Sequence, residues 1–314
     1  MKKKNRKKAL IFGITGMDGS HLADILLSKG YEVHGLIRKA SLDNKKRIEH
    51  ILDKITLHYG DLSDPSSFKR IIKEVEPSEI YNEADQDSAA VSFHNPYYNS
   101  MVTGAAVGEM LEAIKGTDVC FFQPLTSNMF GLAKESPQKE TTPFCPQSPY
   151  ACAKVFAYHL CGFYRRLGVK VSTAIFYNHT SFRQTEEYLL PKLVGSAYRI
   201  KKGLQDKIRL GDINAKIDIG WSPDFMEAAW LMLQQEEPDD YIIGTGKVYS
   251  IKEMLDMVGI DMKNVEVDKA LLRPASTSVL AADYSKARNV LGWEPKNKME
   301  EIIKIMLVHQ DKKE

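Results

Sequence analysis

One stretch near the start of the chain restricts its fold more than any other: Ala9 to Gly19, ALIFGITGMDG. Leu10, Ile11 and Phe12 read as the end of a buried strand, with Ile14 just past a glycine. Gly13, Gly16 and Gly19 follow at a G-x-x-G-x-x-G spacing. From His21 to Leu27 the apolar residues fall at helical spacing, and Gly30 closes the run. A second strand is expected at Glu32–Leu36. Strand, glycine turn, helix and strand form the context in which such glycines bind a dinucleotide. The turn is tight, and the backbone must come close to a pyrophosphate that a side chain would block. The helix amino terminus points unpaired N–H groups and a positive dipole end at that phosphate. Gly13, Gly16, Met17, Asp18 and Gly19 are the first candidate cofactor residues.

The first half of the chain continues in the same alternation. Strands are expected at Ile55–His58, Glu79–Tyr81 and Val119–Gln123, and helices over Lys45–Lys54, Ser66–Val75 and Tyr98–Lys115. Asp64 is placed to cap the second of these helices, with Pro65 at its first position. Repeated β-α units predict an α/β fold: a doubly wound parallel sheet with right-handed crossovers. Ligands of such sheets sit outside the carboxyl ends of the strands. That rule selects Arg38, Asp61 with Leu62, Ala84 and Thr126. An acid after the second strand would bind a ribose 2′-hydroxyl, and a base a 2′-phosphate. The chain has Ile37-Arg38-Lys39 there, which leans to NADP and leaves NAD open. Stacking on the adenine, or contact with a neighbouring subunit, is the other use open to Arg38. Asp61 reads either as a partner for the adenine or as a turn former.

Thr126-Ser127-Asn128 ends the fifth expected strand, and Tyr150 and Lys154 follow, one helical turn apart. An ammonium beside a phenol favours the phenolate, so Tyr150 is expected to accept a proton near neutral pH. The Thr126 hydroxyl can bond the same substrate oxygen. Hydride transfer from that carbon to a nicotinamide completes an alcohol oxidation.

The 43% hydrophobic and 27% charged fractions are those of a soluble globular protein, and 314 residues hold one large domain or two unequal ones. A net charge of +2 singles out no partner. The opening KKKNRKK reads as a solvated basic tail rather than a signal peptide. No run approaches the roughly 18 apolar residues of a membrane span. Cys120, Cys145, Cys152 and Cys161 show neither metal-ligand spacing nor a disulfide framework, which points to a reduced, cytoplasmic setting. Neither nucleic acid, membrane nor metal is an expected partner.

Together these residues resemble the extended short-chain dehydrogenase/reductase family and, within it, the GDP-mannose 4,6-dehydratases. The likeness runs through GITGMDGSHLADILLSKGYEVHGLIRK, LHYGDLSD, RIIKEVEPSEIYN, PQKETTPFCPQSPYACAK, WLMLQQEEPDDYIIGTG and LRPASTSVLAADYSKARNVLGW, in that order. It implies a tightly held NAD or NADP, a GDP-sugar substrate and a homotetramer with a subunit contact near Ala40 to Arg47. It makes Tyr150, Lys154 and Thr126 catalytic, with Tyr150 and Lys154 also at the cofactor. Ser127 and Asn128 join Thr126 at the sugar. Asn178 to Arg183 resembles a stretch that handles substrate phosphates, and Lys192 and Arg273 match basic residues of the nucleotide site. The implied division is a cofactor domain over 1–178, with a return segment at about 212–245, and a substrate domain over 179–314.

The departures from that family set the expected reaction. Its dehydratases end the fifth strand in Thr-Ser-Glu, and the resemblance gives that glutamate the proton transfers for water loss across C5 and C6. Asn128 stands in its place. A carboxamide neither accepts nor gives a proton at useful pH, and such help is worth roughly a hundredfold to ten-thousandfold. The expectation is therefore oxidation of C4 of a GDP-sugar to the 4-keto sugar without dehydration. The sugar is GDP-mannose or, from a likeness to GDP-manno-heptose 4-dehydrogenases, a GDP-manno-heptose of bacterial surface polysaccharides. Two alternatives stand beside it: a 4,6-dehydratase in which Glu83, Asp85 or a water replaces the glutamate, and a non-catalytic cofactor-binding partner subunit. Ile217-Asp218-Ile219-Gly220 and Arg273-Pro274-Ala275-Ser276 also depart, losing an arginine for phosphate and a carboxylate for the ribose.

Overall fold

The computed structural model describes residues 6–41, 43–271 and 279–311, so the Arg273 assignment lies outside the described residues. Strand β1 (Lys8–Phe12) turns through Gly13 into helix α1 (Met17–Ser28). Strands β2 (Glu32–Ile37) and β3 (Ile55–Tyr59) follow, with a 3-10 turn over Lys46–Ile51 where a short helix is expected. Helix α2 (Pro65–Val75) starts as its sequence dictates: Pro65 opens it, and the Asp64 carboxylate accepts the Ser66 N–H at 3.1 Å. Then come β4 (Glu79–Asn82), α3 (Ala89–Ser92), α4 (Pro96–Asn99), α5 (Ala106–Ile114), β5 (Cys120–Thr126), α6 (Pro149–Arg166) and β6 (Lys170–Phe176). The second half adds β7 (Asn178–Thr180), α7 (Leu189–Lys201), β8 (Ile208–Leu210), β9 (Lys216–Trp221), α8 (Ser222–Met232), β10 (Asp240–Ile243), β11 (Val248–Ser250), α9 (Ile251–Met257), β12 (Val265–Val267) and α10 (Met299–Asp311).

Seven strands form one sheet in the order β10-β6-β5-β4-β1-β2-β3. All its pairings are parallel, as expected of repeated β-α units. The winding reverses at β1, which has β2 on one side and β4 on the other. Crevices at such reversals bind ligands. Alternate residues of β1 supply the two faces: Leu10 and Phe12 join a core with Phe68, Met110 and Phe121, whereas Ala9 and Ile11 join one with Leu22, Phe225 and Trp293. A third core around Leu193, Trp221, Met254 and Ile302 closes the smaller sheets, β11-β9-β7 and β12-β8. Among the described residues no helix is long and apolar enough to cross a membrane.

The single helix expected over Tyr98–Lys115 is instead α4, a π-helical turn over Ser100–Ala105, and α5. Two residues account for the widened turn. The Ser100 hydroxyl donates back to the Pro96 carbonyl at 2.9 Å, competing with the backbone ladder. Gly104 lets α6 come close, since a Cβ there would lie 3.0 Å from the Phe156 ring. The turn also sets Asn99 against the loop after β4, where its amide donates to the Gln86 carbonyl at 2.9 Å.

Asp218 joins three segments of the second half. Its carboxylate accepts the N–H groups of Thr245, Gly246 and Ala282 at 3.0, 2.9 and 3.1 Å. Asp218→Ala leaves these donors without their acceptor at a buried site, at about 1–3 kcal/mol for each such group. The expected result in denaturant titration is a loss of at least about 3 kcal/mol with the unfolding slope unchanged.

Candidate active site

The crevice between β1 and β4 is open because Gly13 carries no side chain. Its φ is +78°, and a Cβ there would stand 2.5 Å from the Glu83 carbonyl oxygen. Gly16 is the N-cap of α1 and supplies no side-chain cap, so the first-turn N–H groups stay available to a ligand. Gly19 does not line the cavity; a Cβ at Gly19 would strike the Gly13 carbonyl, so this glycine packs the helix onto the turn. The cavity above has a volume of about 710 Å³. Gly13, Gly16, Met17, Asp18, Arg38, Asp61, Leu62 and Ala84 line one part of it, and Thr126, Ser127, Asn128, Tyr150, Lys154 and Asn178 another. An unobstructed glycine turn, an uncapped helix start and the arginines Arg38 and Arg47 in the lining fit a dinucleotide phosphate. The Asp61 carboxylate accepts the backbone and hydroxyl of Ser63 at 2.8 and 2.7 Å, which is the turn-forming use.

Two expected phosphate ligands are placed elsewhere. Arg183 is absent from the lining; its Nη2 donates to Asp24 at 2.7 Å, and its Nη1 is buried without a hydrogen-bond partner. Asp24 on α1 is the nearer anion, and a largely enclosed guanidinium takes it. Lys192 is also absent from the lining and donates to the Arg209 carbonyl at 2.7 Å. Arg47, which the sequence places at the end of a subunit-contact loop and within a short helix, lines the cavity and is braced by the carbonyls of Arg183 and Thr15 at 2.6 and 3.3 Å.

The Lys154 ammonium lies at the cavity floor, where it pairs with Asp85 at 2.6 Å and donates to the Pro124 carbonyl at 2.8 Å. It lies 5.8 Å from the centre of the Tyr150 ring. The sequence leads one to expect that this lysine lowers the phenol toward neutral pH, and neighbouring carboxylates act in the other direction. Burial first, and then the charges of Asp85 and Asp87, push Tyr150 well above the ordinary phenol value, against a Thr126 hydrogen bond that lowers it. The ammonium is shared with Asp85, so the phenol experiences the carboxylates as well as the lysine.

Carboxyl groups surround this centre. Burial would raise Asp18, yet the charge and hydrogen bond of His179 at 2.9 Å and the Ser222 hydroxyl at 2.7 Å bring it below the usual range. The enclosed Glu83 has one oxygen without a partner, and burial, then the Asp18 charge, push it well above the carboxylate range. Asp87 opens onto the cavity, and its Oδ2 accepts the Tyr188 hydroxyl at 2.7 Å. Burial of its carboxyl, then the Asp85 charge, raise it above the usual range. Sequence reading marked Glu83 and Asp85 as extra acids and missed Asp87 and Tyr188. The signal for Asp87 was its position two residues past Asp85, which in extended chain puts both on one face. No local signal marks Tyr188.

Residues 10–306 match the family model described as GDP-mannose 4,6 dehydratase. The chain is 44% identical to GDP-mannose 4,6 dehydratase 1 of Arabidopsis thaliana, over 97% of this chain and 90% of that one. It is 39% identical to the GDP-mannose 4,6-dehydratase of Vibrio cholerae, over 96% of this chain and 93% of that one. A solved dTDP-glucose 4,6-dehydratase from Bacillus anthracis, in complex with NAD, superposes with a TM-score of 0.84 at 21% identity, covering 98% of this chain and 97% of that one, which bears on the fold. The two sequence matches correct the expectation drawn from Asn128. They favour dehydration over an oxidation that stops at the 4-keto sugar. The physical reason is local: Asn128 is one wall of a cavity that holds carboxyl groups of its own, so its amide does not leave the site without an acid or base.

Two outcomes follow from this geometry. Gly13→Ala is expected to cost roughly 1–3 kcal/mol, since it strains a left-handed backbone, and to abolish dinucleotide binding in a titration calorimeter. Asp85→Asn removes the larger of the charge effects that raise Tyr150. A base must be deprotonated to act, so the rising limb of the pH–rate profile for hydride transfer is expected to move to lower pH.

Proposed function

The chain belongs to the GDP-mannose 4,6-dehydratase family, and on that premise we propose that it converts GDP-mannose into the GDP-bound 4-keto-6-deoxy sugar with net loss of one water. The observation that carries this reading is the meeting of Tyr150, Lys154 and Thr126 with a cluster of carboxyl groups in one cavity beside the glycine turn. A ketone at C4 makes the C5 hydrogen acidic enough to be removed, so a site for dehydration needs an oxidising centre and a separate acid–base group side by side.

An NAD or NADP held here supplies hydride acceptance from C4 and hydride return to C6. The residues that would hold it are the backbone of Gly13 to Gly16, the first turn of α1, Leu62 and Ala84 along the adenosine, and Lys154 at the nicotinamide ribose. Arg38 and Arg47 suit a ribose phosphate, which favours NADP. Tyr150 takes the C4 hydroxyl proton, and Thr126 bonds the same oxygen and orients it. To take that proton Tyr150 must first be the phenolate, and Lys154 stabilises that negative charge before the proton arrives, in competition with Asp85. Ser127 and Asn128 border the sugar. Asn178 stays a candidate for the nucleotide, whereas Arg183 and Lys192 are engaged by Asp24 and the Arg209 carbonyl outside the cavity lining.

The test is purified protein with GDP-mannose, followed by mass spectrometry. A product lighter by the mass of one water is expected, and Tyr150→Phe is expected to slow its formation at least about a hundredfold. Recovery of GDP-mannose unchanged, or an equal rate after Tyr150→Phe, contradicts the reading.

A further inference from the structure

Water loss across C5–C6 requires a group that accepts the C5 proton and a group that protonates the departing C6 oxygen. Asn128 does neither. Three carboxyl groups, Glu83, Asp85 and Asp87, follow β4 on one loop and line the cavity. Their surroundings assign them different work. Glu83 is enclosed beside Asp18 and Lys154, and its own carbonyl abuts the Gly13 turn, which places it at the cofactor end. Asp85 is committed to Lys154 at 2.6 Å. Asp87 is exposed to the cavity, close enough to Tyr150 for its charge to act on the phenol.

We propose that Asp87, held by the Tyr188 hydroxyl, is the acid–base residue for the elimination of water, in place of a glutamate at position 128. The inference rests on the dehydratase reading above. The Asp87 carboxylate takes the C5 proton of the 4-keto sugar. The electron pair of the C5–H bond forms the C5–C6 double bond as the C6–O bond breaks. Asp87 then gives the same proton to the departing oxygen, which leaves as water. The carboxylate is regenerated, and no oxidant or reductant is consumed in the step. One carboxyl serving both ends requires C5–H and C6–O on the same side of the sugar.

The loop is built to hold that position. The Asn99 amide donates to both the main-chain carbonyl and the side-chain oxygen of Gln86 at 2.9 Å, between the two aspartates. Tyr188, at the start of α7, donates its hydroxyl to Asp87 at 2.7 Å. The charged and titratable groups that act on Asp87 include Asp85 on its loop, Asp18 on α1, His179 on β7, Tyr150 on α6 and Tyr188. Burial and then the Asp85 charge lift its carboxyl, which brings a carboxylate closer to the pH of a working general base.

The experiment compares the parent protein with Asp87→Asn and Asp87→Glu, each given GDP-mannose in heavy water. Product mass, deuterium at C5 and the near-ultraviolet absorbance of reduced nicotinamide are followed together. Asp87→Asn is expected to lose water release and C5 deuteration by at least about a hundredfold while reduced nicotinamide accumulates. Asp87→Glu keeps the carboxyl and is expected to retain water release within about tenfold. Elimination in the parent is expected to rise with pH above the usual carboxylate range, and that limb is expected to vanish in Asp87→Asn. Water loss by Asp87→Asn within about threefold of the parent, with the parent's pH limb, overturns the role of Asp87. A parent that releases no water from GDP-mannose overturns the dehydratase reading instead, so the two failures are distinct.

Discussion

The Lys154–Asp85 ion pair is the interaction on which the rest of the site depends. Both partners are largely withdrawn from solvent, and the ammonium also donates to the Pro124 carbonyl of β5. Removing one partner of such a buried pair costs about 3–5 kcal/mol, because the other charge is left unmatched. The pair therefore ties three elements at one point: helix α6 through Lys154, strand β5 through Pro124, and the loop after β4 through Asp85. It also sets the local charge. With Asp85 taking up the lysine, burial and the Asp18 charge raise the Glu83 carboxyl, and burial and the Asp85 and Asp87 charges raise the Tyr150 phenol. The acidity of this pocket is thus a property of a cluster and not of one residue.

The fold was legible in the sequence because its signals are local. Leu10 to Phe12 is a short apolar run ended by Gly13, and Asp64-Pro65 announces a helix start that the structure keeps. The parallel sheet follows from the alternation of such units. The helix around Tyr98–Lys115 was not legible in detail, because its π turn depends on Ser100 bonding backward and on α6 packing against Gly104. Neither is an apolar-period signal.

Side-chain destinations were harder still. Arg183 follows a motif that suits phosphate, yet it finds Asp24, 159 residues earlier, and leaves the cavity lining. Asp87 meets Tyr188 across 101 residues. No spacing rule encodes either pair, since each is fixed by how two segments dock. The same limit explains the error at Asn128. Its chemistry was read correctly as inert to proton transfer, but the consequence for the reaction depended on which other carboxyl groups the fold brings to that cavity. Glu83 and Asp85 stand out in the sequence as extra acids, whereas Asp87 reaches the cavity only through the fold.

The account holds that oxidation at C4 and reduction at C6 are halves of one turnover in one cavity. GDP-mannose carrying deuterium at C4 tests this directly, with the product examined by nuclear magnetic resonance. The account predicts a product that has lost one water and carries the deuterium at C6. A 4-keto hexose nucleotide that retains its C6 oxygen and lacks the deuterium would contradict it.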